Sequence, residues 1–435
     1  MQHDLTIGKI QTHLIKIAIP SMVGYFFHTL FNITDTIFAG YISTSALAGL
    51  SLSSSIFFMI LAIGIGMSEA LTSIVGNAFG KSDLEYARNI VLNALLFAFV
   101  LAIFLSLSGL FFTPYLIDIL GDSSYKQETL DYINFILMGA LFFLTSFFLN
   151  ALLNALGDTK SFRNVLVFTA LLNVFFNYIF VFWFELGIQG IALATILCEF
   201  IVTAYLFYKL RQTSLWSGVK TFKYNKNIIG NIIKEGIPPS VNLFMMALGM
   251  YIITYFVAPF GKEAVAGFGI GMRIEQMFLM PIVGLSVASL SIISQNNGAK
   301  AYHRIDPTLT LSVYYGWVIS TIGVITYWLF GDVLASFLTS DAFVIHQAST
   351  YLKISGFASY GFVVVFIYIS MFQGISKPNI IMPLSIYRQI LAPILMFIVF
   401  GYFHFSIEVY WIGIDIIVLS SALFLYGYKK RAVKL

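Results

Sequence analysis

The feature that most limits what this chain can become is a succession of apolar runs, each about 20 residues or longer, repeated from one end to the other. A helix rises about 1.5 Å per residue, so about 20 apolar residues cross a hydrocarbon core of about 30 Å. The runs fall at 14–39, 46–76, 86–113, 127–152, 161–184, 188–210, 229–258, 262–294, 305–336, 343–372, 379–402 and 406–428. Only 10% of the 435 residues are charged and the mean hydropathy is +0.89, which leaves more apolar surface than a soluble fold could bury. The alternating pattern of a transmembrane β-barrel is absent. The expectation is an all-α integral membrane protein with twelve transmembrane helices surrounded by the lipid bilayer.

Basic residues give the orientation, because cytoplasmic loops keep Lys and Arg. Lys81, Arg88, Lys160, Arg163, Lys209, Arg211, Lys220, Lys223, Lys226, Lys300, Arg304, Lys377, Lys429, Lys430 and Arg431 fall on the side that holds both ends of the chain. The opposite loops offer little beyond Lys126 and Lys262. Both termini are expected in the cytoplasm, and the net charge of +4 reports that topology rather than a nucleic-acid partner. The opening MQHDLTIGKIQTHLIKIAIP lacks the charged and apolar regions of a cleaved signal, so none is expected. The single cysteine, Cys198, forbids an internal disulfide and reads as a small packing residue.

The chain also resembles itself at an offset of 218 residues. Ile19-Pro20 meets Ile237-Pro238, and ALAGL at 46–50 meets AVAGF at 264–268. Gly66, Ser68, Ala70 and Gly80 meet Gly284, Ser286, Ala288 and Gly298. With a one-residue slip, Gly157 and Lys160 meet Gly374 and Lys377. An even number of helices per repeat returns the chain to its starting side, so two parallel six-helix repeats follow. The expected organisation is an N-lobe at 1–210, a polar cytoplasmic linker at 211–228 and a C-lobe at 229–435, around a central cleft. Such a frame suits alternating access.

Acids inside hydrocarbon are costly and persist where they face a cavity or a partner. Most of the 20 acidic residues sit in loops or at helix ends, which leaves Asp35, Glu69, Glu199, Glu275 and Asp415 as candidates within the predicted helices. Asp35 has polar company. His28 stands seven residues earlier on nearly the same face, about 10 Å away along the axis, and Pro20 beyond it removes a backbone hydrogen bond and permits a bend. In the fifth run, Asn173 and Asn177 are four apart and share a face. Their amides suit either a protonated Asp35 or a small cation, although interhelical bonding is the rival use.

Glu69 and Glu199 are secondary polar positions without a comparable constellation. Arg273 and Glu275 are two apart, too close to share a face, and suggest gating or lobe packing. Arg388 lies deep in the eleventh run and needs an acceptor, so structural pairing is expected. Tyr132 is a candidate for an aromatic cavity wall that takes a lipophilic cation. The histidines His13, His303, His346 and His404 lack metal-ligand spacing, so no metal is assigned. GNAFGKS at 76–82 encloses three residues between its glycines where a phosphate loop needs four, so an ion gradient must drive transport.

Taken together, Ile19-Pro20 with Asp35, ALAGL, GNAFGKSD, NALGDTKSFRN, LGIQGIALAT, EGIPPS, MRIEQ and SQNNGAKAY resemble the multidrug and toxic compound extrusion (MATE) transporters over nearly the whole chain. The resemblance implies a two-lobe antiporter, not an enzyme, that expels organic and often cationic drugs in exchange for protons or sodium ions. In the DinF-like branch an aspartate on the first helix takes the coupling proton and a proline bends that helix. Those positions match Asp35 and Pro20, with His28 at the branch's polar position. The NorM-like branch carries acids on its seventh and tenth helices, whereas GIPPSVNLFMMALGMYIITYF and YLKISGFASYGFVVVFIYISMF here contain none, and some members carry an acid where Asn177 stands.

The resulting expectation is a monomeric, proton-coupled multidrug antiporter of a bacterial inner membrane, without a cofactor, with sodium coupling as an alternative. A flippase for lipid-linked oligosaccharides or cell-wall precursors, and a channel or receptor, are the other readings.

Overall fold

The computed structural model describes residues 4–120, 123–217 and 223–432, and in them the chain is almost wholly helical. Lys220, counted above among the cytoplasmic basic residues, lies outside the described residues, as does part of the proposed linker. The helices are α1 (Ile10–Ile42), α2 (Thr44–Gly80), α3 (Leu84–Leu120), α4 in two pieces (Lys126–Met138 and Ala140–Ala155), α5 (Lys160–Trp183) and α6 (Gly187–Arg211). The second half repeats the order with α7 (Lys226–Phe260), α8 (Lys262–Gly298), α9 (Tyr302–Ser336), α10 in two pieces (Ala342–Ser355 and Ala358–Gly374), α11 (Pro378–Tyr402) and α12 (Ile407–Ala432). Among the described residues, ten helices run long and apolar enough to cross a bilayer unaided, and α4 and α10, bent by 51° and 57°, bring the number to twelve when each bent pair counts as one span.

Local chemistry marks the boundaries. Ser43 stands in extended backbone between α1 and α2 and its hydroxyl accepts from the Ala46 N–H at 2.9 Å, capping α2. Asp341 caps α10 in the same way by accepting from the N–H groups of Phe343 and Val344. Buried hydroxyls along the helices, such as Thr169 and Ser289, donate to carbonyls four residues back, since hydrocarbon offers no water to satisfy them.

The two halves are related in detail. After α2, Ser82 takes φ 60° and the amide of Asp83 donates to the Ala78 carbonyl. After α8, Lys300 takes φ 59° and Ala301 donates to Asn296, the same geometry 218 residues on. The turns after α4 and α10 also match, but not in the register that the sequence suggested. Gly157 (φ 76°) corresponds to Ser376 (φ 55°), since Asp158 donates to Leu153 as Lys377 donates to Phe372. Matching the glycines of NALGDTK and FQGISKP therefore misplaces this turn by two residues: a serine holds the left-handed position in the second half.

The lobes join through reciprocal close contacts. A Cβ on Gly66 of α2 would lie 2.2 Å from the Ser240 nitrogen of α7, and one on Gly284 of α8 would lie 2.6 Å from the Met22 nitrogen of α1. Near the ends of the same helices, Gly80 meets the Gln295 carbonyl and Gly298 meets the Asn77 carbonyl. Each contact is the partner of another under the repeat, as at a two-fold interface. The starts of α1 and α7 are exchanged as well: Leu14 and Ile17 pack in the C-lobe core, while Ile228 and Ile232 pack in the N-lobe core. Hydrogen bonds between the halves gather at this end, where Ser73 donates to the Gln373 carbonyl, Asn297 to Asn77, and Gln295 to Ala155.

Candidate functional site

The apolar face of α1 turns Asp35 inward, where it is only 4% exposed. Asn173 and Asn177, one turn apart on α5, present both amides to the same carboxylate oxygen: Oδ1 accepts from their Nδ2 atoms at 3.0 and 2.8 Å. The Thr195 hydroxyl on α6 lies 2.8 Å from the other oxygen, Oδ2, and 3.0 Å from the Ile191 carbonyl. A hydroxyl has one hydrogen, so Thr195 can serve only one of these acceptors at a time. The side-chain oxygens of Asn173 and Asn177 are buried and without a partner.

Asp35 and Thr195 border a cavity of about 370 Å³ that belongs mainly to the N-lobe. His28 and Tyr132 line it with Asp35, aromatic residues such as Phe57 and Phe143 form much of its wall, and Val283 and Ser286 of α8 contribute from the opposite lobe. Glu69 and Glu199, which the sequence left without company, line the same cavity. Glu199 lies one turn beyond Thr195 on α6 and accepts from the Ser146 hydroxyl at 3.1 Å. Glu69 accepts from the Gln373 amide at 2.6 Å, a bond that crosses between the lobes. The three acids thus face one volume, held by separate donors.

The C-lobe is arranged differently. Glu275 of α8 is buried and accepts from the Tyr351 hydroxyl at 2.6 Å, whereas Arg273 is exposed, so the two diverge as their spacing requires. Asp415 lies near enough to Glu275 for their charges to interact, and its Oδ1 lacks a partner. Phe268 and Trp411 pack against Tyr351, with the Phe268 and Trp411 rings stacked at 5.3 Å. The pairing expected of Arg388 is not met by an acid: its nearest acceptor is the Asn242 side-chain oxygen, at 3.4 Å. Pro20 is buried within α1, which continues through it without a break.

Sequence reasoning missed three donors, Thr195, Ser146 and Gln373. Spacing held a clue to the first, because Thr195 and Glu199 are four apart and share one face of α6. Nothing local points from Ser146 to Glu199 or from Gln373 to Glu69, which stand 53 and 304 residues away.

Comparison with known proteins agrees with the fold and the repeat. The family model MatE matches residues 20–179 and again 238–398, and the two matches begin at the same 218-residue spacing as the internal repeat. A relative named as the probable multidrug resistance protein NorM of Thermotoga maritima is 28% identical, covering 98% of this chain and 95% of its own. The FAD transporter of Shewanella oneidensis is 26% identical over 84% of this chain and 83% of its own. Among solved structures, a MOP superfamily transporter from Pyrococcus furiosus superposes with a TM-score of 0.94 at 22% identity, covering 99% of this chain and 97% of that one. An outward-facing multidrug resistance transporter of the MATE family follows at 0.93 and 22%, covering 99% and 98%.

Proposed function

Because this chain belongs to the MatE family of membrane transporters, we propose that it exports organic, often cationic compounds in exchange for protons, with Asp35 as the coupling carboxylate. The carrying observation is the convergence of Asn173, Asn177 and Thr195 on that one acid at the edge of a cavity shared with Glu69 and Glu199. Aromatic walls and acids together suit a lipophilic cation. The multidrug relatives support this reading.

Thr195 supplies a switch at low cost. With Asp35 ionised, its hydroxyl donates to Oδ2; with a proton on Oδ2, the hydroxyl turns to the Ile191 carbonyl and accepts the carboxyl hydrogen instead. Both states keep their hydrogen bonds, which a proton carrier in a dry site requires. Protonation also removes the negative charge that faces an organic cation, so proton and substrate compete for the cavity. Glu69 extends the effect to the opposite lobe through its bond with Gln373.

In this reading the chain spans a bacterial inner membrane with both termini in the cytoplasm. The lobes then meet at the cytoplasmic end, as in an outward-facing state of an alternating-access cycle. A sodium-coupled version has one observation in its favour: the unpartnered Asn173 and Asn177 oxygens beside Asp35 could ligate a small cation.

The test uses proteoliposomes that hold a fluorescent organic cation, with a proton gradient or a sodium gradient imposed separately. Proton-driven flux in the wild type, lost in Asp35→Asn while the variant melts normally, is the expected result. Retained flux in that variant would refute the role of Asp35, and flux driven only by sodium would transfer the site to sodium coupling.

A further inference from the structure

We propose that the C-lobe contains an anion site built on Arg388, distinct from the acid-lined cavity, which takes the carboxylate or phosphate of a transported compound or a small inorganic anion. The inference extends the transporter reading above and rests on it for its substrate. Arg388 lies in a π-helical turn of α11 (Tyr387–Leu391) and is 4% exposed. Such turns interrupt the regular ladder and recur at functional sites.

The surroundings of the guanidinium supply few acceptors. Nη2 reaches the Asn242 oxygen at 3.4 Å, the Phe362 ring lies 5.8 Å from the guanidinium carbon, and Nε and Nη1 are buried without a partner. None of the ion pairs found among the described residues includes Arg388. Asn242, on α7, spends its oxygen on Arg388 and on the Ser385 hydroxyl at 2.7 Å. Its amide nitrogen has only the Met246 sulfur, at 3.9 Å. Two guanidinium nitrogens and one amide therefore remain as donors without adequate acceptors.

A buried cation without a counter-charge is strongly unfavourable, and one aromatic face compensates only part of that. An oxyanion supplies both the missing charge and the missing acceptors, and the planar guanidinium fork matches a carboxylate or phosphate in two bonds. A halide supplies the charge alone. With acids around the N-lobe cavity and a buried cation without an acid partner in the C-lobe, the substrates favoured by this arrangement carry both signs of charge.

The experiment compares a rhodamine dye that has a free carboxylate with its methyl ester, binding to the purified full-length protein by fluorescence anisotropy in gluconate buffer. Arg388→Gln should weaken binding of the acid at least tenfold and leave the ester within twofold of wild type, with Asn242→Ala intermediate. Melting is followed in parallel with added chloride or phosphate. Stabilisation of the wild type and not of Arg388→Gln assigns the site to an inorganic anion, whereas dye selectivity without that stabilisation assigns it to the substrate. If neither the acid's binding nor the anion-dependent melting differs between wild type and Arg388→Gln, the proposal is overturned. An equal loss of both dyes in a variant that still melts cooperatively overturns it too. Failure of the wild type to bind the ester counts against the cation-export reading, and the melting arm still decides the Arg388 site.

Discussion

The two lobes share a backbone and differ in what they bury. Reciprocal glycine contacts, bent fourth and tenth spans and matched left-handed turns repeat across 218 or 219 residues, yet Asp35, Glu69 and Glu275 have no acid as repeat mate. Asp35 corresponds to Ile253, Glu69 to Val287, and Glu275 to Phe57. The N-lobe gathers three acids, each with a donor, around one cavity; the C-lobe gives Glu275 a tyrosine hydroxyl but leaves an oxygen of Asp415 and two nitrogens of Arg388 unpartnered. Helix packing must be reproduced for the lobes to meet, whereas a buried polar group needs only its own few donors. Chemistry can therefore diverge on a frame that packing keeps symmetric.

The contrast is most exposed by paired acid substitutions. Asp35→Asn should lower proton-driven flux at least about a hundredfold, equivalent to about 2.7 kcal/mol, while Glu275→Gln changes it by less than about threefold, or about 0.7 kcal/mol. Comparable losses from both would mean that the lobes share the coupling. The frame itself is tested by Gly66→Ala and Gly284→Ala, whose added methyl groups strike backbone atoms of the other lobe. Each should destabilise by about 1–3 kcal/mol of overpacking, by nearly equal amounts in thermal melting. A large effect from only one would break the two-fold relation.

Finer effects sharpen the account of the N-lobe site. Thr195→Val removes the hydroxyl that serves both forms of Asp35 and should reduce flux about tenfold, or about 1.4 kcal/mol; Thr195→Ser should restore it. Failure of serine to rescue would indicate a packing role for the threonine. Ser146→Ala should be the mildest change, costing at most about 1 kcal/mol in melting, since it removes one hydrogen bond to Glu199.

Much of the architecture was legible because its causes are local. Twelve apolar runs translate into twelve spans, and the repeat shows in residues such as Gly66 and Gly284 that packing forces to recur. The turn after α10 was misaligned because Ser376 fills a left-handed position that glycine fills at 157, so matching by residue type misled. At the site, Asp35, Asn173 and Asn177 could be nominated from their burial in apolar runs and their helical spacing. Their junction with Thr195, and the opening of Glu69 and Glu199 onto one cavity, depend on how six helices tilt against each other.

By itself, then, the sequence determined the membrane environment, the helix count and the duplicated plan, because the length and polarity of each run are set residue by residue against a bilayer of fixed thickness. Only the tertiary structure decided that three acids share one cavity, that α1 and α7 exchange their starts between lobes, and that Arg388 lacks an acid partner. Those are contacts between residues up to 304 apart, and their geometry follows from interlocking surfaces that no single stretch of chain contains.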